Sequence, residues 1–240
     1  ATPGTISGNT TVCSGSNNTY FVTNDPGATS YTWTLPGGWT GTSTTNSINS
    51  TASTTSGNIT VVANNACGTS SVQTLAVIVN TTPSTPGTIS GNTTVCSGSN
   101  NTYFVTNDPS ATSYTWTLPG GWTGTSTTNS INTTASATSG NIIVTANNIC
   151  GNSVQQVLSI TVNSVPLVTA NATDNIICLG EPTTLTGSGA FSYTWTGGIS
   201  NGIAFTPPGS TSYTVTGTDA IGCTNTASAS VVVGTNPTVN

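Results

Sequence analysis

Apolar residues in this chain recur at every second position over short runs rich in Val, Ile, Thr, Tyr and Trp, and Gly, Asn, Pro and Ser separate the runs. A period of two is that of a strand with one buried face, and the punctuation is that of turns. In the first third of the chain the pattern predicts strands at Thr5–Ser7, Thr19–Thr23, Ser30–Leu35, Asn46–Thr51, Asn58–Asn64 and Val72–Asn80. No helix is expected, because the 3.6-residue period is missing and Thr and Asn stand where a helix needs Ala, Leu, Glu or Lys. Tyr31, Trp33 and Leu35 alternate with Thr32 and Thr34, which places the rings on the inward side of a central strand. On this ground Tyr31, Trp33, Tyr114, Trp116, Tyr193 and Trp195 are expected as core anchors, each Trp burying on the order of 200 Å².

A second pair of indoles, Trp39 and Trp122, follows a Pro-Gly-Gly turn. Two roles suit that position: closing one end of a sandwich against the backbone that glycine leaves open, or facing solvent and stacking on a sugar. Gly197-Gly198-Ile199 stands at the corresponding place later in the chain, so a sugar site there would not be shared throughout.

The strand pattern is itself repeated. The segment Pro3 to Pro26 recurs unchanged from Pro86 to Pro109, and the offset of about 83 residues persists with roughly four-fifths of positions identical. A shorter, diverged unit begins near Pro166 and keeps the landmarks in order: Cys178 and Gly180, then Tyr193-Thr194-Trp195-Thr196, then Cys223. The expected organisation is three tandem units at 1–83, 84–165 and 166–235, with 236–240 opening a further one. The two near-identical units also indicate which strand faces are buried. Ile59, Val61 and Ala63 become Ile142, Val144 and Ala146, while the intervening Thr60 and Val62 become Ile143 and Thr145. Polar-for-apolar exchange on alternate positions marks the outer face of a strand.

Composition removes most chemistry. The 240 residues include no Lys, Arg or His and only five acidic groups, Asp25, Asp108, Asp174, Glu181 and Asp219, which lie scattered singly. General acid–base catalysis needs groups that titrate near neutrality, so no catalytic residue is expected and the chain reads as non-enzymatic. Phosphate recognition needs Lys and Arg, which excludes nucleic acid as a partner and removes any basic patch for an anionic membrane. Apolar runs such as Val231–Val233 fall far short of a membrane-spanning helix, so no direct membrane insertion is expected. Asn24-Asp25-Pro26-Gly27 reads as a turn, since calcium requires several carboxylates around one ion. No metal or cofactor is expected. A positively charged leader is missing, so the chain is expected to begin downstream of any export signal.

The six cysteines, Cys13, Cys67, Cys96, Cys150, Cys178 and Cys223, arrive two per unit and lack the close spacing of a zinc site. They imply disulfides and an oxidising compartment. The simplest scheme is one disulfide per domain, Cys13–Cys67, Cys96–Cys150 and Cys178–Cys223, each closing a loop worth at most about 4 kcal/mol. Strict immunoglobulin strand order opposes it, because the two cysteines of a unit would then lie at opposite ends of the sandwich. In that case Cys13 would reach Cys150 and Cys96 would reach Cys223, leaving Cys67 and Cys178 for neighbouring units.

The order Val-Cys-x-Gly, Ser-Tyr-Thr-Trp-Thr and then Asn-x-x-Cys-Gly or Gly-Cys-Thr-Asn resembles the PKD-like and Ig-like repeats of giant cell-surface adhesins in Bacteroidota. The resemblance covers nearly the whole chain. It implies an all-β fold of three tandem Ig-like/PKD-like β-sandwich domains, extracellular placement at the cell surface, export by the type IX secretion route and a gliding-motility setting. The Gly-Asp-Gly of polycystin-type repeats is replaced here by Leu35-Pro36-Gly37-Gly38, so architecture transfers better than ligand. The expected function is a stalk or filament segment that holds an adhesive region away from the cell, with neighbouring repeats of the same chain as its partners. Two other readings stand beside it: binding of surface polysaccharide through Trp39 and Trp122, and lateral self-association into fibres through sheet edges that carry no protective lysine.

Overall fold

The computed structural model describes residues 2–235, so the expected opening of a further unit at 236–240 lies outside the described residues. The described residues are all-β apart from one 3-10 turn at Thr196–Gly198. The first unit contains β1 (Thr11–Cys13), β2 (Asn17–Phe21), β3 (Ser30–Thr34), β4 (Ser47–Thr51), β5 (Gly57–Asn65), β6 (Gly68–Thr69) and β7 (Gln73–Asn80). The second repeats them as β8 (Thr94–Cys96), β9 (Asn100–Phe104), β10 (Ser113–Thr117), β11 (Ser130–Thr134), β12 (Gly140–Asn148), β13 (Gly151–Asn152) and β14 (Gln156–Asn163). The third has β15 (Thr169–Ala172), β16 (Ile176–Cys178), β17 (Thr183–Ser188), β18 (Ser192–Trp195), β19 (Ala204–Phe205), β20 (Thr211–Thr218) and β21 (Thr224–Gly234).

Each unit is an Ig-like sandwich. In the first, one sheet has the order β1-β7-β5-β3, with β6 paired to β5, and β2 pairs with β4 in the other. All pairs are antiparallel except β1 with β7. The second unit repeats this arrangement, and the third has β16-β21-β20-β18 facing β15-β17-β19. The parallel first-to-last pairing recurs as β8 with β14 and β16 with β21.

Five of the six strands predicted for the first unit lie within about a residue or two of the observed ends. Thr5–Ser7 makes only an isolated bridge, Ser7 to Phe21, before the chain crosses to the opposite sheet as β1. Gly8 makes that crossing possible. Its φ is +152°, and a Cβ there would strike the ring of Tyr20, which is itself fully buried. Sequence reasoning missed β1 and β6 because they are only 3 and 2 residues long, too short to show a period.

The apolar residues form three separate clusters. Tyr20, Val22, Ile48, Ile59 and Val61 centre the first, and their counterparts Tyr103, Val105, Ile131, Ile142 and Val144 centre the second. Leu185, Trp195, Val215 and Val231 centre the third. The inward set Ile59, Val61 and Ala63 is buried and alternates with half-buried Thr60, Val62 and Asn64, and Ile78, on the outer face of β7, is 59% exposed.

Candidate functional site: cystine-linked junctions between units

The feature that recurs with fixed geometry is the junction where one unit meets the next. Pairing of β1 with β7 sets Cys13 opposite Asn80, the last residue of the unit's final strand. Cys96 likewise faces Asn163. Both cysteines therefore sit at the end from which the chain leaves for the following unit. At the entry end, the turn between β12 and β13 carries Cys150. That turn is built by Asn148, whose Oδ1 accepts the Cys150 N–H at 2.8 Å. In the third unit Asp219 Oδ1 accepts the Cys223 N–H at 2.8 Å.

Cys13 is bonded to Cys150 and Cys96 to Cys223, with Cα–Cα distances of 5.4 and 5.6 Å. The bonds join consecutive units, so the expected scheme of one disulfide per domain is corrected. Cys67 and Cys178, which that scheme placed in cystines, are free and exposed. The reason is geometric. Cys67 precedes β7, while Cys13 lies beside its far end, and eight residues of strand separate the two ends by roughly 24 Å. A cystine spans at most about 7 Å between Cα atoms.

Polar contacts reinforce the first junction. Asn148 Nδ2 donates to Thr81 O of the preceding segment at 2.8 Å and to Ser110 O of its own unit at 3.1 Å. The N–H and hydroxyl of Ser84, where the linker enters the second unit, both donate to Asp108 Oδ2, at 3.0 and 2.6 Å. Ser110 donates twice to the other carboxylate oxygen. Led by the Ser84 hydroxyl, these bonds favour the charged form and hold the Asp108 carboxyl down at about 2. Asp25, the equivalent in the first unit, accepts from Gly27 N at 2.9 Å, which closes the expected turn.

The aromatic residues singled out by sequence take different places. Tyr31, Tyr114 and Trp195 are buried, whereas Trp33, Trp116 and Tyr193 are half-buried. Trp39 and Trp122 are each only 8% exposed. Their indole N–H groups donate inward to Thr55 O and Thr138 O at 2.9 Å, and the rings lie tilted against Tyr20 and Tyr103 at 6.3 and 6.4 Å. Stacking on a sugar needs an open ring face, so the glycan-stacking role expected as one alternative for Trp39 and Trp122 is replaced by closure of the sandwich end. Among the described residues no three His, Cys, Asp or Glu side chains gather where they could hold a metal ion. No described helix is long and apolar enough to cross a membrane.

Tandem Ig-like sandwiches tied by cystines at their junctions define the class of protein. The PKD-like domain family matches residues 1–77 and 82–161, and the chain belongs to it. No curated protein matches the chain. Among solved structures it is similar to the three-domain ectodomain of mouse nectin-like molecule 4, at 15% identity and a TM-score of 0.39, covering 96% of this chain and 98% of that one. A Ca²⁺-stabilised adhesin that helps an Antarctic bacterium reach out and bind ice is similar at 18% identity and 0.44, covering 98% and 75%. The Escherichia coli adhesin FdeC gives 13% and 0.31, covering 95% and 96%.

Proposed function

We propose that the chain is a non-enzymatic structural segment of an extracellular surface protein, a spacer that carries an adhesive region away from the cell. The observation behind this reading is the junction. The same exit-end cysteine is bonded to the same entry-end turn in two successive pairs of units, which fixes unit to unit where an ordinary linker would leave a hinge. Disulfides persist in oxidising compartments, in keeping with placement outside the cell. The composition supports the same reading, since the chain carries no Lys, Arg or His and its five carboxylates are scattered singly.

A spacer should be extended and stiff. Three sandwiches in line reach roughly 100 Å. Electron micrographs of the intact chain are expected to show straight rods of about that length, and reduction of the cystines should broaden the distribution of bend angles between units. Compact globules before reduction would overturn the proposal. The finer setting, a gliding adhesin exported by the type IX route, belongs to the same proposal, and surface labelling of cells with and without that route tests it.

A further inference from the structure

Cys67 and Cys178 stand in places already used elsewhere in the chain. Cys67 holds in the first unit the position that Cys150 holds in the second, and its turn is built the same way: Asn65 Oδ1 accepts the Cys67 N–H at 2.9 Å. Cys178 holds in the third unit the position of Cys13 and Cys96. It faces Gly234 across a parallel pair as they face Asn80 and Asn163. The N–H of the next residue, Leu179, donates to Gly234 O at 3.0 Å, matching Ser14 to Asn80 O and Ser97 to Asn163 O at 2.9 Å. The chain thus displays the turn half of a junction on its first unit and the strand half on its third.

The face around Cys67 is shaped for docking and stands open. In the second unit Asn148 reaches both its own unit and the preceding segment, whereas Asn65 donates within its own unit, to Gly27 O at 3.0 Å. A Cβ placed on Gly151 would meet Thr82 at 3.3 Å, while one on the equivalent Gly68 would meet nothing within 4 Å. The turn that is half-buried at Asn148, Cys150 and Gly151 is exposed at Asn65, Cys67 and Gly68.

We propose that Cys67 and Cys178 are complementary halves of a further junction, each bonding the opposite half of another unit of this repeat type docked end to end. For this chain alone the partner is a second copy, with Cys178 of one joined to Cys67 of the next. The inference rests on the spacer reading and adds to it a means of covalent continuation. Two S–H bonds break and one S–S bond forms; the two protons and two electrons pass to a disulfide oxidant, which leaves as two thiols. The contact is heterologous and does not close on itself, so it generates a linear polymer.

The test uses the full chain, Cys67→Ser and Cys178→Ser, incubated as monomers with oxidised glutathione as the oxidant and resolved without reduction. The wild type should give a ladder, and either variant alone should stay monomeric. Their equimolar mixture should stop at a covalent dimer, whose peptic peptides include Cys67 joined to Cys178. Dimers of one variant alone, which mean like-to-like pairing, or a mixture that yields no dimer, would overturn the proposal. Retention of the Cys13–Cys150 and Cys96–Cys223 peptides in both variants reports that the fold is intact. If the ladder fails while micrographs still show rods, the spacer reading stands and this inference alone falls.

Discussion

Two tryptophans in each of the first two units show how burial depends on more than strand period. Trp33 lies on β3, at the edge of its sheet, so its ring turns inward yet stays half-buried, with its N–H donating to Thr45 O at 2.9 Å. Trp39 lies off the strands, beyond a glycine turn, and is the more deeply covered of the two. Alternation identifies the inward face; it does not say how far a position lies from the edge of the core. Replacing Trp39 with Ala opens a cavity and leaves Thr55 O without its donor, at a cost of about 3–5 kcal/mol. Hydrogen exchange should show the loss in the first unit, at Tyr20 and Ile59, with Tyr103 and Ile142 unaffected. A loss below about 1 kcal/mol would return Trp39 to the surface roles.

At the scale of single elements, the short segment from Thr81 to Ser84 is held by hydrogen bonds, and one of its anchors titrates. The folded state lowers the Asp108 carboxyl from its usual 3.8 to about 2. A depressed carboxylate stabilises the fold above its unfolded pKa, and that contribution is lost as pH falls through the folded value. The contribution of the Ser84 anchor to stability should therefore be full above about pH 4 and be lost as pH falls through about 2, where the folded carboxyl takes up its proton. The Ser84 amide chemical shift should titrate with a midpoint at about pH 2 in the wild type and stay flat in Asp108→Asn; a flat wild-type response would refute the anchor. Sequence showed Asp108 only as one of five scattered acidic groups, because its linker partner Ser84 lies 24 positions upstream.

Across the whole molecule the two cystines enclose overlapping stretches, with sequence separations of 137 and 127. The overlap limits how far the chain can be drawn out. Tension entering at the first residues passes from Cys13 to Cys150, back through the second unit to Cys96, and across to Cys223. That path contains roughly 85 residues, or about 300 Å when extended, against about 860 Å for the reduced chain. Single-molecule pulling should show this difference of several hundred ångströms on adding a reductant. Cystines within units would leave nearly the same path, roughly 87 residues, so the oxidised limit reports that cystines are present, and the peptide map reports which cysteines they join. Each bond also contributes up to about 5 kcal/mol in the chain-entropy estimate, so reduction should lower the unfolding temperature.

Local alternation and the copied segment determined the all-β class, the inward faces of the long strands and the presence of disulfides, because period and repetition are properties of neighbouring residues. Only the tertiary structure decided which cysteines bond. The three-residue β1 pairs in parallel with a strand more than sixty positions away, and that register carries Cys13 to the opposite end of the unit from Cys67. Spacing along the chain holds no record of that distance, whereas the end-to-end meeting of two sandwiches brings Cys13 within bonding reach of Cys150.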